Sequence, residues 1–430
     1  RFGLICASGY NTTRLGGIWV GNWMPDWSGD FTQDANVNLQ VSSINTQGLR
    51  SAAESYMTYI LRQVSDWEIN AKNIYGIDDA IMAPPRTDGD GNGQIYHSLP
   101  GYPFAYWNAG ADWLIIPIYE YWQCYGNQKI ALGEDVDLNE LESVLDLDEA
   151  DKARIQAEGF DLEGDILTPL IRKLYNFWQG YTDERFYMSE DGTLHLKDGT
   201  TLNAENGDKY LFSPGYSPEN VPSADGIGYN SSPSLAANTT MDVSAAHDSM
   251  TMLREFIQNG NITDVNIEDV DAFEALFPEY ICADDGALKE WLIPSYEEHY
   301  NHRHVSHTYS AWPGYEAQND DALRESLAAA MDMRKTYNTN DNAQAHGHLH
   351  NALVEARIKR TSGYETSLHT LVASGYEYKG LMTSHNKNHG SAFCTDNAFG
   401  LAGVILESLL YSNTGEIEIL PTLITDWSEG

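Results

Sequence analysis

The sequence predicts a mainly α fold in which pairs of helices close into a ring. Eight or more segments carry apolar residues at the spacing of an amphipathic helix, and few segments show the alternation of a strand. Long polar loops connect the helical segments, whereas a parallel sheet would need strands that alternate regularly with helices. These observations favour a closed ring of helix pairs, with only short β-hairpins in its loops.

The first predicted elements are a short strand at 3–8 and an amphipathic helix within 46–64. The apolar residues of this helix fall at helical spacing: Ala53, Met57, Ile60, Leu61 and Val64. Further helices are predicted at 109–125, 148–157, 165–180, 240–259, 319–336, 343–360, 364–375 and 397–412. The remaining predictions are loops at 73–106 and 203–238, a hairpin at 187–202 and a last short strand at 416–421.

The charge of the chain excludes some classes of partner. Its 25 Lys and Arg residues stand against 63 Asp and Glu residues, a formal net charge of −38. Such a charge repels phosphate backbones and anionic lipids, so neither nucleic acid nor a membrane is an expected partner.

The chain begins at Arg1 without an initiator Met or a signal segment. We therefore expect residues 1–430 to be a single domain from a longer, multidomain chain.

A pair of primary amides, Asn36 and Asn38, is the first candidate for chemistry. In an extended segment, side chains two residues apart leave the same face, where they could hold a sugar hydroxyl and a water molecule. To activate water, an amide needs a carboxylate beside it and an acid opposite. The candidates are Asp396 and Glu219. The structural alternatives are loop hydrogen bonds for the amides, a helix cap for either acid and a solvent-facing position for Glu219.

Aromatic rings concentrate in Gly- and Pro-rich loops, including those around Trp19 and Trp107. Rings in such loops can line a carbohydrate cleft, because their flat apolar faces pack against sugar C–H groups. Packing of the loops over a helical core would explain the same pattern.

One stretch matches the first half of a calcium-binding loop. Asp88, Asp90 and Asn92 provide oxygen ligands at the first, third and fifth positions, and Gly93 follows. The loop lacks its last ligand, because Leu99 stands where Glu is needed. A solvated turn is the alternative, so calcium is only a weak candidate and we expect no other cofactor.

The histidines and cysteines do not predict a metal centre. The spacing of His302, His304 and His307 fits one helical face poorly. The four cysteines occur singly, without zinc or disulfide spacing. Cys394 lies two residues before Asp396, but no motif pairs it with a histidine as a nucleophile would require.

Several motifs, in their order along the chain, resemble the catalytic barrel of glycoside hydrolase family 95, the inverting α-L-fucosidases and their α-L-galactosidase relatives. The similar segments are 1–9, 15–19, 36–40, 213–220, 241–242, 289–291, 302–309, 312–314, 396–400 and 415–421. Most are weak signals individually, whereas their shared order over nearly the whole chain is specific. The resemblance implies an (α/α)6 barrel, flanked in full-length members by β-domains that this chain lacks.

The resemblance also implies catalytic roles. Glu219 would protonate the leaving oxygen, and Asn38 would hold the attacking water with Asp396 as its carboxylate partner. Asn36 would be a second ligand of water or sugar. Inversion requires the acid and base groups to lie roughly 6.5–9.5 Å apart. It also requires a raised pKa for Glu219, whereas Asp396 should stay ionised.

The resemblance implies that Arg303 and His304 bind sugar hydroxyls. Glu290 is an alternative to Glu219 as the general acid, but we favour a structural or subsite role for it. Asp34 departs from the family pattern, since many members carry His two residues before the first Asn. An acidic side chain there could accept hydrogen bonds from extra hydroxyls, including the 6-hydroxyl that L-galactose has and L-fucose lacks.

The sequence thus predicts an exo-acting, inverting α-L-glycosidase, secreted or at the surface of a bacterial cell, that acts on oligosaccharides or glycans. L-Fucose is the first expectation for the sugar and L-galactose the second. Another α/α-barrel glycosidase or phosphorylase is the alternative within enzymes. From a different class, the alternative is a non-catalytic carbohydrate-binding domain.

Overall fold

Helices dominate the structure, a computed structural model that describes residues 11–17, 23–88, 92–131, 133, 136–182, 185–222, 235–378, 383–389 and 393–427. The described helices are α1 (Asn38–Val41), α2 (Arg50–Leu61), α3 (Val64–Tyr75), α4 (Gly110–Tyr125), α5 (Leu138–Leu141), α6 (Glu149–Glu158), α7 (Thr168–Thr182), α8 (Thr240–Gln258), α9 (Ile267–Glu274), α10 (Asp321–Tyr337), α11 (Ala345–Arg357), α12 (Thr361–Ala373) and α13 (Asp396–Leu409). The predicted mainly α fold is confirmed.

The strands are short and pair locally. They are β1 (Phe31–Thr32), β2 (Arg86–Thr87), β3 (Lys129–Ile130), β4 (Phe160–Asp161), β5 (Phe186–Met188), β6 (Leu194–Leu196), β7 (Lys209–Tyr210), β8 (Leu410–Asn413) and β9 (Glu416–Ile419). β5 is the centre of an antiparallel three-stranded sheet with β6 and β7, and the other strands form antiparallel pairs. The predicted hairpin and last short strand are confirmed.

The inner wall of the fold is a closed ring. Helices α1, α4 and α8 follow one another in contact, and α8 packs against the 3-10 turn Ser306–Thr308. The loop before that turn lies against α11, where the backbone oxygen of Arg303 is 3.1 Å from a Cβ built on Gly347. Helix α11 packs on α13, and α13 returns to α1. The fold is thus an (α/α)6 barrel.

The outer layer pairs with this ring. Helix α2 packs on α4, α7 packs on α8, and α12 packs on α11 and α13. Buried apolar side chains from both layers form one continuous core. This pairing follows from the amphipathic pattern, because each outer helix has one apolar face to bury. Among the described helices, none is both long and apolar enough to cross a membrane.

Most helix predictions agree with the structure within a few residues, and the differences have local causes. The helix expected within 46–64 is represented by α2, and a second helix, α3, begins at the end of that range. Helix α3 extends into the predicted loop 73–106 and ends before Gly76, whose φ of 74° provides the left-handed cap. Helix α9 was not predicted. The strand predicted at 3–8 lies outside the described residues.

The candidate site residues lie at or before the N-terminal ends of inner segments. Asn38 and Asp396 are the first residues of α1 and α13. Arg303 and His304 directly precede the 3-10 turn, and Glu219 belongs to the long loop before α8. The ring therefore brings together residues that are remote along the chain.

The start of α4 provides a test of packing in the barrel. A Cβ built on Gly110 would lie 2.6 Å from Cε3 of the fully buried Trp107. We expect Gly110→Ala to lower the free energy of unfolding by about 1–3 kcal/mol, because the added Cβ overlaps the buried indole, which must shift to make room. Gly164→Ala is the control, since its Cβ would meet Asp161 Oδ1 at an ordinary 3.4 Å. Urea denaturation should show a lower stability for Gly110→Ala alone; equal stabilities would contradict the packing.

Candidate active site

The segment 36–41 is helical rather than extended, whereas Asp34 and Ala35 before it have non-helical backbone angles. A π-helical turn, Gln33–Val37, leads directly into α1. In a helix, side chains four residues apart share a face, whereas side chains two apart point in different directions. Asn36 therefore shares its face with Gln40 and not with Asn38. The extended geometry predicted for this segment is wrong, because the segment begins one of the inner helices of the ring.

The carboxylate of Asp396 is held by two amides from that helical face. Asn36 Nδ2 donates to Asp396 Oδ2 at 2.8 Å, and Gln40 Nε2 donates to Oδ1 at 2.7 Å. Burial raises the pKa of Asp396 to about 6, against hydrogen bonds from Gln40, Cys394 and Asn36 that lower it. The carboxyl group is therefore mostly ionised at neutral pH.

Asp396 is not simply a helix cap. Thr395 occupies the N-cap position of α13, and its backbone N–H donates to the Leu15 oxygen at 3.0 Å. The Thr395 hydroxyl donates to the Arg14 oxygen at 2.8 Å. These bonds fix the start of α13 without the Asp396 side chain. The Asp396 carboxylate instead accepts hydrogen bonds from the two amides.

Asn38 faces a different part of the barrel. With its amide oriented to satisfy both polar atoms, Asn38 donates to the Gln33 backbone oxygen and accepts from Trp113 Nε1 at 3.3 Å. Among the described residues, Asp396 accepts side-chain hydrogen bonds from Asn36, Gln40 and Cys394. The expected pairing of Asn38 with Asp396 is therefore wrong, and the helical turn explains why Asn36 takes that position.

Glu219 is mostly buried, with 18% of its side chain exposed. Its carboxylate accepts hydrogen bonds from the Arg303 guanidinium and from His304 Nε2, the latter at 3.3 Å. The alternatives of a helix cap or a solvent-facing side chain do not apply. Three candidate residues, Glu219, Arg303 and His304, thus lie in one cluster.

The pKa of Glu219 is opposite to the expectation for a free general acid. Burial raises it, but the hydrogen bond and charge of His304 and the charge of Arg303 lower it to about 2. The expected raised pKa is therefore wrong for the sugar-free site. The reason is the direct contact of the carboxylate with His304 and with the Arg303 guanidinium, which together outweigh burial.

Asp34 is a second buried carboxyl group close to Glu219, and its pKa is shifted in the opposite direction. It is 3% exposed, and neither carboxyl oxygen has a hydrogen-bond partner in the described chain. Burial and the nearby negative charge of Glu219 raise its pKa well above the ordinary value, and Arg303 and Arg86 counter this only in part. The site therefore contains a buried carboxyl group whose hydrogen-bonding capacity is unused among the described residues.

Asp341, which the sequence analysis did not single out, holds Arg303 in place. Asp341 Oδ2 accepts from the Arg303 backbone N–H and from Nη1, both at 3.1 Å. Asp341 Oδ2 also lies 3.0 Å from His302 Nδ1. Its loop, which precedes α11, carries several Asn and Asp residues, and no pattern distinguishes this one.

Glu290 supports the loop that carries Glu219. It is fully buried and accepts from Ser217 Oγ at 2.7 Å, from Asn220 Nδ2 at 2.5 Å and from the Arg334 guanidinium. Two of these donors, Ser217 and Asn220, lie on either side of Glu219 in the sequence. This agrees with the structural role favoured over that of a rival acid.

A row of imidazole rings connects the Glu219 and Asp396 sides of the site. The ring centroids of His304 and His346 are 5.0 Å apart, and those of His346 and His385 are 5.4 Å apart. His304 contacts Glu219, while His346 and His385 have ring nitrogens within 4.8 Å of an Asp396 oxygen. Glu219 therefore lies beside the first ring of the row, His304, and Asp396 beside the other two. No sequence spacing predicted the roles of His346 and His385.

Of the two tryptophans predicted to line a sugar-binding cleft, the structure describes only Trp107. Trp107 is fully buried in the core, so its predicted role as a sugar-binding surface is wrong. Trp19 lies outside the described residues. Trp27, from the same aromatic-rich loop as Trp19, packs edge-on against His385 with centroids 4.7 Å apart. Of the described tryptophans in that loop, Trp27 is thus the one that packs against the histidine row.

The calcium candidate cannot be assembled from the described residues, because Asp90 lies outside them. Asn92 Oδ1 accepts the backbone N–H of Gln94 at 3.1 Å, and its backbone oxygen accepts from Thr87 Oγ1 at 2.6 Å. These bonds are those of a tight turn. Calcium binding at Asp88, Asp90 and Asn92 stays a prediction.

The comparisons with known proteins agree with the resemblance. The profile of the glycosyl hydrolase family 95 catalytic domain matches residues 1–135 and 175–409. Alpha-L-fucosidase 2 of Arabidopsis thaliana is 25% identical over 268 residues, which cover 58% of this chain and 30% of that protein. The chain thus matches less than a third of the length of this curated relative.

The low pKa of Glu219 can be tested at Arg303. Because the guanidinium favours the ionised carboxylate, we expect Arg303→Met to raise the pKa of Glu219 by about 1–3. The measurement is a carboxyl ¹³C NMR titration of protein labelled at glutamate Cδ, with the Glu219 signal assigned through Glu219→Gln. Arg360→Met is the control, since Arg360 pairs with Asp332 elsewhere. An unchanged Glu219 titration in Arg303→Met would contradict the assigned cause.

Proposed function

The chain belongs to glycoside hydrolase family 95, and we propose that it is an exo-acting, inverting α-L-glycosidase that releases terminal α-L-fucose from oligosaccharides or glycans. The observation that carries this proposal is the carboxylate of Asp396, buried and held by Asn36 and Gln40 across the histidine row from Glu219. The named activity of the Arabidopsis relative supports fucose as the sugar.

On the water side, Asn36 replaces Asn38 as the proposed amide. Its Nδ2 is bound to Asp396, so its Oδ1 is oriented away from that carboxylate and is able to accept a hydrogen bond from water. The ionised Asp396 polarises this amide. A pKa of about 6 also suits a group that must take up a proton near neutral pH.

On the leaving-group side, Glu219 is the proposed acid. Its low pKa in the sugar-free site results from contact with Arg303 and His304. A sugar whose hydroxyls engage these two side chains would draw them away from the carboxylate. Burial would then be the dominant influence, so the pKa of Glu219 would rise and the acid could hold its proton.

The reaction then proceeds in one displacement. The water oxygen forms a bond to the anomeric carbon while the bond to the leaving oxygen breaks, and its electron pair stays on that oxygen. Glu219 gives its proton to the leaving oxygen, and the proton lost by water is taken up on the Asp396 side. Attack opposite to the leaving group converts an α-glycoside into a β-sugar.

A phosphorylase is less well supported than a hydrolase. Phosphate would need a strongly basic pocket, whereas Arg303 is already engaged by two carboxylates, Glu219 and Asp341. The negative charge of the whole chain would also oppose a phosphate dianion. Water is therefore the proposed nucleophile.

L-Galactose is a second candidate sugar because of Asp34. A buried carboxyl group without a protein partner is costly, and a sugar hydroxyl could provide the missing hydrogen bond. L-Galactose has a hydroxyl at C6 where L-fucose has a methyl group.

An extracellular or cell-surface location and flanking domains also remain part of the proposal, in keeping with a glycan substrate.

The acid assignment predicts a loss of turnover without a loss of binding. We expect Glu219→Gln to lower kcat on α-L-fucosides with poor leaving groups by about 10²–10⁴-fold, because the amide cannot donate the acid proton. Glu297→Gln, at an exposed position of another loop, is the control. The anomer formed first should be β, observed by ¹H NMR before mutarotation. Retained configuration would reject the inverting mechanism, and fucose binding without turnover of any α-L-glycoside by the unmodified protein would favour the carbohydrate-binding alternative.

The role of Asp34 predicts a change in sugar preference. We expect Asp34→Ala to lower the ratio of kcat/KM for an aryl α-L-galactoside to that for the α-L-fucoside by about 10–100-fold, the value of a lost hydrogen bond to a buried polar group. Asp34→Asn should retain most of the ratio, because its amide can still bond a hydroxyl. Asp26→Ala, on an exposed loop, is the control. An unchanged ratio in Asp34→Ala would remove L-galactose as the second candidate.

A further inference from the structure

We propose that His346, His385 and Asp396 form a binding site for a first-row transition-metal dication, of which Zn²⁺ is the expected ion. One potential ligand atom from each residue lies within 4.8 Å of the other two. The three residues come from the start of α11, the loop 383–389 and the start of α13. An ion bound here would occupy the carboxylate that the proposed hydrolysis uses for proton uptake, so we expect the metal-bound protein not to turn over glycosides; the binding test below does not require activity.

The ligand atoms are available for coordination. His346 is 7% exposed, and in the described chain neither of its ring nitrogens has a hydrogen-bond partner. His385 Nδ1 is likewise buried without a partner there. A buried imidazole that makes no hydrogen bond is unusual, because its polar atoms lose their contacts with water on burial. A metal ion would satisfy a nitrogen of each ring.

Asp396 retains capacity for a third ligand. A carboxylate has about four lone-pair sites, and Asn36, Gln40 and Cys394 occupy three of them. The two amides also fix the orientation of the carboxylate, as outer-shell partners do for metal-binding carboxylates. The remaining lone pair is the one available to an ion beside the histidines.

The dimensions fit a small ion after modest side-chain movement. Zn–N and Zn–O bonds of about 2.0–2.2 Å place ligand atoms about 3.4 Å apart in a tetrahedron. Each ligand atom must therefore move by less than about 1 Å from its position in the structure. Rotation of the His385 side chain, which lies on a loop and is partly exposed, could supply part of this movement.

The ligand types select the class of ion. Two imidazoles and one carboxylate are typical ligands of zinc and its first-row neighbours, whereas Mg²⁺ and Ca²⁺ prefer oxygen ligands alone. Three protein ligands also leave a fourth position open, as in zinc sites that bind water or another small ligand. We therefore expect Zn²⁺ and Co²⁺ to bind and Mg²⁺ not to bind.

The test uses Co²⁺ as a spectroscopic probe on the full chain after removal of metals with a chelator. We expect a saturable visible absorption characteristic of four-coordinate Co²⁺, which Zn²⁺ abolishes and Mg²⁺ does not. His346→Ala and His385→Ala should each weaken the affinity at least about 100-fold, because loss of a direct ligand exceeds the about 10–100-fold effect of an outer-shell partner. Isothermal titration with Zn²⁺ provides a second measurement.

Two variants separate loss of the site from loss of the fold. His389→Ala removes an exposed histidine from the same loop and should bind Co²⁺ as the unmodified protein does. His385→Phe keeps an aromatic ring against Trp27 but removes both nitrogens, so it should stay folded and still lose the absorption. An unmodified protein that leaves Co²⁺ six-coordinate would overturn the proposal. Equal affinity in His385→Phe and the unmodified protein would do the same.

Discussion

The hydrogen bonds between Asp396 and its two amide donors are the constraint on which both the fold and the site depend. Asn36 and Asp396 are 360 residues apart in sequence, yet their side chains meet at 2.8 Å. The contact joins the first inner segment, α1, to the last, α13, and thereby closes the ring. An ionised carboxylate in this position needs donors, because an unpaired buried charge would be strongly destabilising. The same two amides that meet this need also orient the carboxylate towards the histidine row. Closure of the barrel and assembly of the proposed water-binding side of the site therefore depend on the same hydrogen bonds.

Three carboxyl groups in the site experience similar burial but differ in protonation, and the difference comes from their donors. Asp396 has neutral amide donors, which only partly offset burial, so its pKa is about 6. Glu219 touches a guanidinium and an imidazole, which reverse the effect of burial and bring its pKa to about 2. Asp34 has no donor among the described residues and lies near the negative charge of Glu219, so its pKa is raised well above the ordinary value. Burial alone would raise the pKa of all three carboxyl groups. The assignment of acid and base therefore depends on the side chains that surround each carboxyl group.

The sequence predicted those features that local patterns determine and missed those that tertiary contacts determine. Helix α8 was expected at 240–259 and spans Thr240–Gln258, because a long amphipathic pattern specifies a helix almost independently of its neighbours. Asn36 and Asp396 were recognised as residue types, but the wrong periodicity was applied to the segment 33–41, so Gln40 was overlooked. Asp341 was missed because its role is to hold Arg303, a partner remote in sequence. His346 was missed for the same reason, since isolated histidines on a helix have no spacing rule until the ring brings other ligands to them.

In the proposed mechanism, the ionisation state of Glu219 before a sugar binds links sugar specificity to catalysis. Arg303 is anchored by Asp341 through its backbone and side chain, so it cannot leave the pocket freely. A sugar must therefore compete for the guanidinium within the site, and it can do so only with hydroxyls in the right positions. A ligand that fills the pocket without engaging Arg303 and His304 would leave Glu219 ionised and unable to act as an acid. A correct sugar would change the neighbours of Glu219 and so raise its pKa at the place where the proton is needed. Part of the binding free energy of the sugar is then used to protonate Glu219. Hydroxyls that contact Arg303 would therefore contribute to kcat as well as to affinity.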